Sequence, residues 1–274
     1  EGNKYVFLID EAHNLVDRSR EMFSAEIDKA DFLDIKDIFV DKYSAIYKSI
    51  NKCNSIFNKL KRELEIEKEH YQKEEITDLY YPLKKLMILM EPWLIEEKNN
   101  SEYDKVMELY FKVSTFLKIS DFYDEHYVTC FESNGKNLVL RLYCVDSSYL
   151  LSQSLKRGRA AIFFSATLTP LEYHRNLLGG NDEDYHIKLS SPFPRENLLL
   201  MINNNVSTRY KDRETTYLDV VESIETLINS NKGNYFVFFP SYVYMRNIHE
   251  MMVDRNPELK IIIQEGSMSE IERE

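Results

Sequence analysis

The chain has 274 residues, 43% hydrophobic and 30% charged, the balance of an ordinary soluble globular protein with room for about two domains. A formal net charge of −11 excludes a general polyanion binder, and only seven glycines and seven prolines exclude low-complexity linkers. No apolar run approaches the ~20 residues of a membrane span and the sequence reads as having no signal peptide; three scattered cysteines, Cys53, Cys130 and Cys144, fit a reducing cytoplasm and no zinc or disulfide pattern.

Near the start, Tyr5-Val6-Phe7-Leu8-Ile9 is apolar on every side, which predicts a strand buried on both faces in a parallel sheet. It switches abruptly to Asp10-Glu11-Ala12-His13. Ligands of such sheets bind just beyond the carboxyl ends of the strands, where these acids fall. Two acids there suit metal-nucleotide chemistry: one holds Mg²⁺ and the other orients and deprotonates an attacking water. Taken alone, the tetrad is also compatible with a surface turn whose acids are merely solvated.

Residues 31–125 read as helical almost throughout. Ile46, Ile50, Cys53, Phe57, Leu60 and Leu64 step by four and three, as do Leu79, Leu83, Leu86, Met90 and Trp93, and then Val106, Leu109, Val113 and Phe116. Pro82 is expected in the first turn of the second helix, Pro92 at a kink or end, and Ser101 as N-cap of the third. Three such stripes can bury only against one another, which predicts a helical bundle; His70 and His126 have no partner at metal-ligand spacing.

A hairpin follows, Tyr127-Val128-Thr129-Cys130-Phe131 and Leu138-Val139-Leu140-Arg141-Leu142 around Asn134-Gly135. After a short helix over residues 146–155, Ala160-Ala161-Ile162-Phe163-Phe164 repeats the opening design and ends in Ser165-Ala166-Thr167. A helix over 217–229, a strand at Tyr235-Phe236-Val237-Phe238-Phe239, a helix from Pro240-Ser241-Tyr242 through Met252 and a strand over 260–264 complete the pattern of βαβ units. The basic clusters Lys156-Arg157-Gly158-Arg159 and Arg209-Tyr210-Lys211-Asp212-Arg213 are candidate phosphate contacts, although such clusters are commonly solvated faces.

Asp10-Glu11-Ala12-His13 after a strand resembles the Walker B (motif II) box of superfamily two helicases, and Ser165-Ala166-Thr167 resembles their motif III. Asp10 and Ser165 lie 155 positions apart (165 − 10), with the helical segment between them. That insertion resembles the Arch domain of the DinG/XPD branch, and Ser191-Pro192-Phe193 and Phe239-Pro240-Ser241-Tyr242 resemble further elements of it, the latter motif IV; bacterial DinG-like helicases fit best. The resemblance implies an α/β fold of RecA-like P-loop NTPase lobes, with an incomplete parallel sheet and an all-helical Arch insertion. The expected boundaries are 1–24 (first lobe), 25–126 (Arch), 127–195 (first lobe continued) and 196–274 (start of the second lobe).

It also implies roles. Asp10 and Glu11 would be the Mg²⁺ and catalytic carboxylates, and His13 would sense ATP and couple to Ser165, Ala166 and Thr167. Ser241, Tyr242 and Arg209 would lie near single-stranded DNA, tracked 5′ to 3′ by a monomeric, cytoplasmic enzyme. No Gly-x-x-x-x-Gly-Lys-Ser/Thr occurs among the seven glycines, so the chain reads as an internal fragment unable to hydrolyse ATP by itself. The family's iron–sulfur cysteines would lie outside this segment, as would its later arginine motifs. The alternative from another class is a non-catalytic helical module that docks DNA or a protein. A metal-dependent nuclease lacks the further acids or histidines such a site needs.

Overall fold

A computed structural model describes residues 4–264 and Met268. Inter-residue contacts divide the chain into two units after Lys188, slightly before the expected boundary at 195/196.

The first unit opens with β1 (Val6–Ile9), a short 3-10 turn (Ala12–Asn14) and α1 (Leu15–Met22). The chain then leaves through β2 (Ala25–Asp28), α2 (Lys29–Asp34), α3 (Ser44–Glu63), β3 (Glu69–Gln72), α4 (Thr77–Glu96) and α5 (Tyr103–Ser120). It returns through the hairpin β4 (Tyr127–Asn134) and β5 (Asn137–Cys144) to α6 (Ser148–Leu155), β6 (Ala160–Phe163) and α7 (Leu171–Leu177).

Two sheets result among the described residues. β1 pairs in parallel with β6 alone, Val6 opposite Ala160 and Ile9 opposite Phe163. The other sheet is antiparallel, in the order β2-β5-β4-β3. The insertion expected to be all-helical is therefore mixed, and the hairpin expected to continue the lobe of the opening strand instead pairs with β2 and β3. The reason lies in β5, whose Leu138, Leu140, Leu142 and Cys144 alternate inward at 0% exposure and meet the helical stripes in one core. That core takes Ile46, Ile50, Cys53 and Phe57 from α3, and Leu79, Leu83, Leu86, Met90 and Trp93 from α4. From α5 it takes Val106, Leu109, Val113 and Phe116, which are the residues the spacing picks out.

Local chemistry sets the element ends. Glu65, at φ 49°, ends α3 in the left-handed region, with Ile66 N donating to Lys61 O (3.1 Å) and Glu65 N to Arg62 O (3.3 Å). This is a Schellman closure made without glycine, and buried Ile66 supplies its apolar contact. α4 starts at Thr77, which puts Pro82 in its second turn, and it runs through Pro92 to Glu96. Trp93 holds that last turn: its ring packs edge-on to Phe39 and its carbonyl accepts from Glu97 N (2.9 Å). Ser101 is not the cap of α5; the Asn100 side chain accepts from Glu102 N instead (2.9 Å). The hairpin loop is Gly135-Lys136, one residue later than expected, with Gly135 at φ +60° in the position a type II′ turn reserves for glycine.

The opening strand differs most from expectation. Val6 and Leu8 are exposed (46% and 69%), because the parallel sheet has two strands among the described residues and no layer over that face. Its other side rests on a small cluster of Ala12, Val16, Leu151 and Leu178 with Ile9 and Phe163. The necks of the insertion are tied together next to this cluster. Ser19 Oγ donates to Val16 O (2.9 Å) and accepts from Ser147 Oγ (2.6 Å), Arg20 Nε donates to Val145 O (2.9 Å), and Ser24 Oγ accepts from Cys144 N (2.9 Å).

The second unit holds α8 (Arg213–Ser230) and α9 (Tyr242–Arg255), packed through Val221, Tyr244, Ile248 and Met252 and pinned by Arg255 on Glu225 (3.0 Å). The expected strands at 235–239 and 260–264 have no ladder partner among the described residues; Phe236 and Phe238 stand exposed and stacked on each other.

Two stability outcomes follow. Trp93→Ala removes the largest fully buried side chain of the insertion and is expected to destabilise it by about 3–5 kcal/mol, read as a lower urea midpoint. Glu65→Gly relieves the left-handed backbone and is expected to stabilise the insertion by about 0.5–1 kcal/mol, read as a higher urea midpoint, because the residue just past a helix end is where glycine is favoured. A lowered midpoint for Glu65→Gly would contradict the assigned cap.

Candidate functional site

The site is built where β1 and β6 end side by side. Past the ladder, Phe164 N donates to Ile9 O (3.0 Å) and Ala12 N donates to Phe164 O (3.2 Å), so the two chains stay joined as they turn. The approach is equally close at the other end. Arg159 N donates to Tyr5 O (2.8 Å), and a Cβ on Gly158 would sit 2.8 Å from the Phe7 ring. Gly158 is a site-building residue that sequence reasoning left inside a basic cluster; its signal is a lone glycine just before a strand.

Between the strand and its helix, Asp10 and Glu11 make a tight turn. Glu11 adopts φ 47°, ψ 43°, a left-handed backbone that costs a non-glycine residue about 1–2 kcal/mol. Asp10 Oδ1 accepts from Glu11 N (2.7 Å) and steadies that turn. Ala12 is fully buried against Val16, Leu151 and Leu178, so the tetrad's third position admits no larger side chain.

The turn aims Glu11 and His13 at the end of β6. His13 Nδ1 lies 2.8 Å from Ser165 Oγ, 3.1 Å from Thr167 Oγ1 and 3.2 Å from Glu11 Oε2. Ser165 Oγ donates to Glu11 Oε2 (3.2 Å) and accepts from Thr167 N (3.1 Å). With its single proton directed at the carboxylate, Ser165 Oγ has a lone pair left to accept a proton from His13 Nδ1. Residues 152 positions apart thus form one hydrogen-bonded cluster. Ala166 lies exposed in the turn between them.

Asp10 is exposed, and the Glu11 side chain is 58% exposed with no partner for Oε1 among the described residues. Two hard, open oxygen donors fit a magnesium ion that keeps waters and takes phosphate oxygens. They do not fit a cation caged wholly by protein. No group of three or more potential ligands occurs among the described residues. The cysteines sit in or beside the insertion's core, and burial pushes the Cys53 thiol up to about 12.

The second unit's candidates do not form a cluster of this kind. Ser241 Oγ is spent as the N-cap of α9, accepting from Tyr244 N (3.3 Å). Tyr242 is 53% exposed, and Arg209 is exposed at the start of a 3-10 turn. No hydrogen bond or ring contact joins Arg209 to either residue among the described ones. Of the neighbouring cations, Arg213 is used internally, its guanidinium 4.9 Å from the Tyr244 ring centroid.

No protein-family model matches the chain. Among solved structures, S. tokodaii Xpd4 aligns with 99% of this chain at a TM-score of 0.51 and 15% sequence identity. The chain spans 54% of that protein's length. At that identity the likeness is one of fold, and the fold of this chain is XPD-like.

Proposed function

We propose that this chain carries the catalytic-carboxylate half of an ATP-driven, XPD-type DNA helicase and the relay that couples hydrolysis to movement on single-stranded DNA in the 5′ to 3′ direction. The observation that carries the reading is the cluster of Glu11, His13, Ser165 and Thr167 at the open end of a parallel strand pair. The XPD-like fold supports it. On this reading β1, α1, α6, β6 and α7 belong to one RecA-like lobe. Residues 25–144 are an Arch-type insertion, and the second unit begins the next lobe.

Each group has a task. Magnesium, when bound, supplies charge stabilisation at the terminal phosphoryl group. Asp10 offers the carboxylate oxygen that would hold it. Glu11 Oε1, the oxygen without a protein partner, takes a proton from the attacking water, while Ser165 fixes Oε2 and so the plane of the carboxylate. His13 and the Ser165 and Thr167 hydroxyls share one proton network. A change of charge at Glu11 therefore re-sorts their bonds and moves the turn after β6. The 274 residues contain no phosphate-cradling Gly-x-x-x-x-Gly-Lys-Ser/Thr, so turnover requires that loop from elsewhere in the full-length protein.

In the full-length protein, Glu11→Gln keeps the side chain's shape but cannot accept a proton. ATP turnover is expected to fall by about 10²–10⁴-fold with nucleotide affinity retained, read by steady-state ATPase and nucleotide-binding titration. Wild-type turnover in that variant would remove Glu11 from the chemistry. His13→Ala is expected to preserve basal hydrolysis better than its stimulation by single-stranded DNA; equal loss of both would make the histidine merely structural.

A further inference from the structure

The groove between α3 and α4 has no task in nucleotide chemistry, and it is basic in a chain of net charge −11. It encloses about 480 Å³ and is lined by Lys48, Lys52 and Lys85, with Ser44, Tyr81 and Leu89 among the remaining residues and no carboxylate. Lys48 and Lys52 are one helical turn apart on α3, as Tyr81 and Lys85 are on α4, so each pair shares a face. Tyr81 is 76% exposed, on a helix whose apolar stripe is complete without it.

Ion pairs fall on either side of these cations and not among them. Toward one end of the helix pair, Lys59 on α3 meets Asp78 on α4 (3.3 Å). Toward the other, Lys42 and Tyr43 both donate to Glu97 Oε1 (2.9 Å and 2.7 Å). Between them, none of Lys48, Lys52 and Lys85 has an ion-pair partner among the described residues, although the chain has 46 acidic side chains to 35 basic. Three like charges held around one groove repel one another, and an external anion offsets that cost.

We propose that this groove binds single-stranded nucleic acid, with backbone phosphates on Lys48, Lys52 and Lys85 and a base stacked on Tyr81. Lysines alone would accept any polyanion. The exposed ring set among them selects a ligand that alternates negative charges with flat π-faces, and single-stranded nucleic acid does so. This contact lies on different elements from the Glu11–His13 cluster and does not rest on the nucleotide reading, so its test contains no ATP.

The experiment is fluorescence anisotropy of a labelled oligothymidylate titrated with the intact chain across a salt series. The triple variant Lys48→Ala/Lys52→Ala/Lys85→Ala is expected to lower the slope of log affinity against log salt by about 2, since each phosphate contact contributes roughly 0.7 for a single strand. Tyr81→Ala is expected to weaken binding on the order of tenfold at fixed salt, with recovery in Tyr81→Trp. All four positions are exposed, and unchanged thermal melting identifies variants that have kept the fold. The proposal is overturned if the wild-type chain does not bind, if the triple variant keeps its affinity and slope, or if polyglutamate competes as well as the oligonucleotide.

Discussion

The parallel pairing of β1 with β6 is the constraint on which everything else rests. Four residue pairs from Val6↔Ala160 to Ile9↔Phe163 set the register, and the amide–carbonyl bonds between Ile9, Ala12 and Phe164 extend it beyond the strands. A slip of one residue would turn every side chain of β6 to the other face and carry Ser165 away from His13. The chain between these strands is long, and bringing its ends together costs loop-closure entropy. The insertion lowers that cost by building its own core, with entry and exit strands β2 and β5 as antiparallel neighbours. The Ser19–Ser147 and Arg20–Val145 bonds then deliver β6 beside β1.

The site inherits its character from that arrangement. A non-glycine residue held in the left-handed region, a buried alanine and a histidine shared among a carboxylate and two hydroxyls form a strained and polar turn in the open. On the proposed reading such a turn responds to charge at Glu11, because its bonds are few, local and interconvertible. The stable part of the unit lies elsewhere, in the core around Trp93, Phe57 and Phe116. On the proposed reading, a small open turn beside a well-packed insertion separates the tasks of changing shape and holding it.

Much of this was legible in the sequence. The helical stripes were, since burial on one face imposes the three-and-four spacing seen from Ile46 to Phe57 and from Leu79 to Trp93. The two strands of the parallel pair were, each a short apolar run that ends abruptly in polar side chains. β3 was not: Glu69 to Gln72 shows no apolar alternation, and its place at the sheet edge comes from backbone bonds to β4. The sequence places the hairpin turn one residue early because Asn134 and Gly135 both favour positive φ, while only Gly135 adopts it. Its membership of the insertion depended on partners in β2 and β3, too short to declare themselves. Ser241, expected near DNA, caps α9, a role that this residue type commonly serves before an apolar helix.

The central claim is that His13 and Ser165 act as one unit across the strand pair. A double-mutant cycle measures this directly: DNA-stimulated ATPase of the full-length protein with His13→Ala, Ser165→Ala and both. The account predicts that the double variant is little worse than the poorer single one, a coupling of about 0.5–3 kcal/mol. Losses that simply add would mean the two side chains work independently, and their 2.8 Å contact would carry no part of the mechanism.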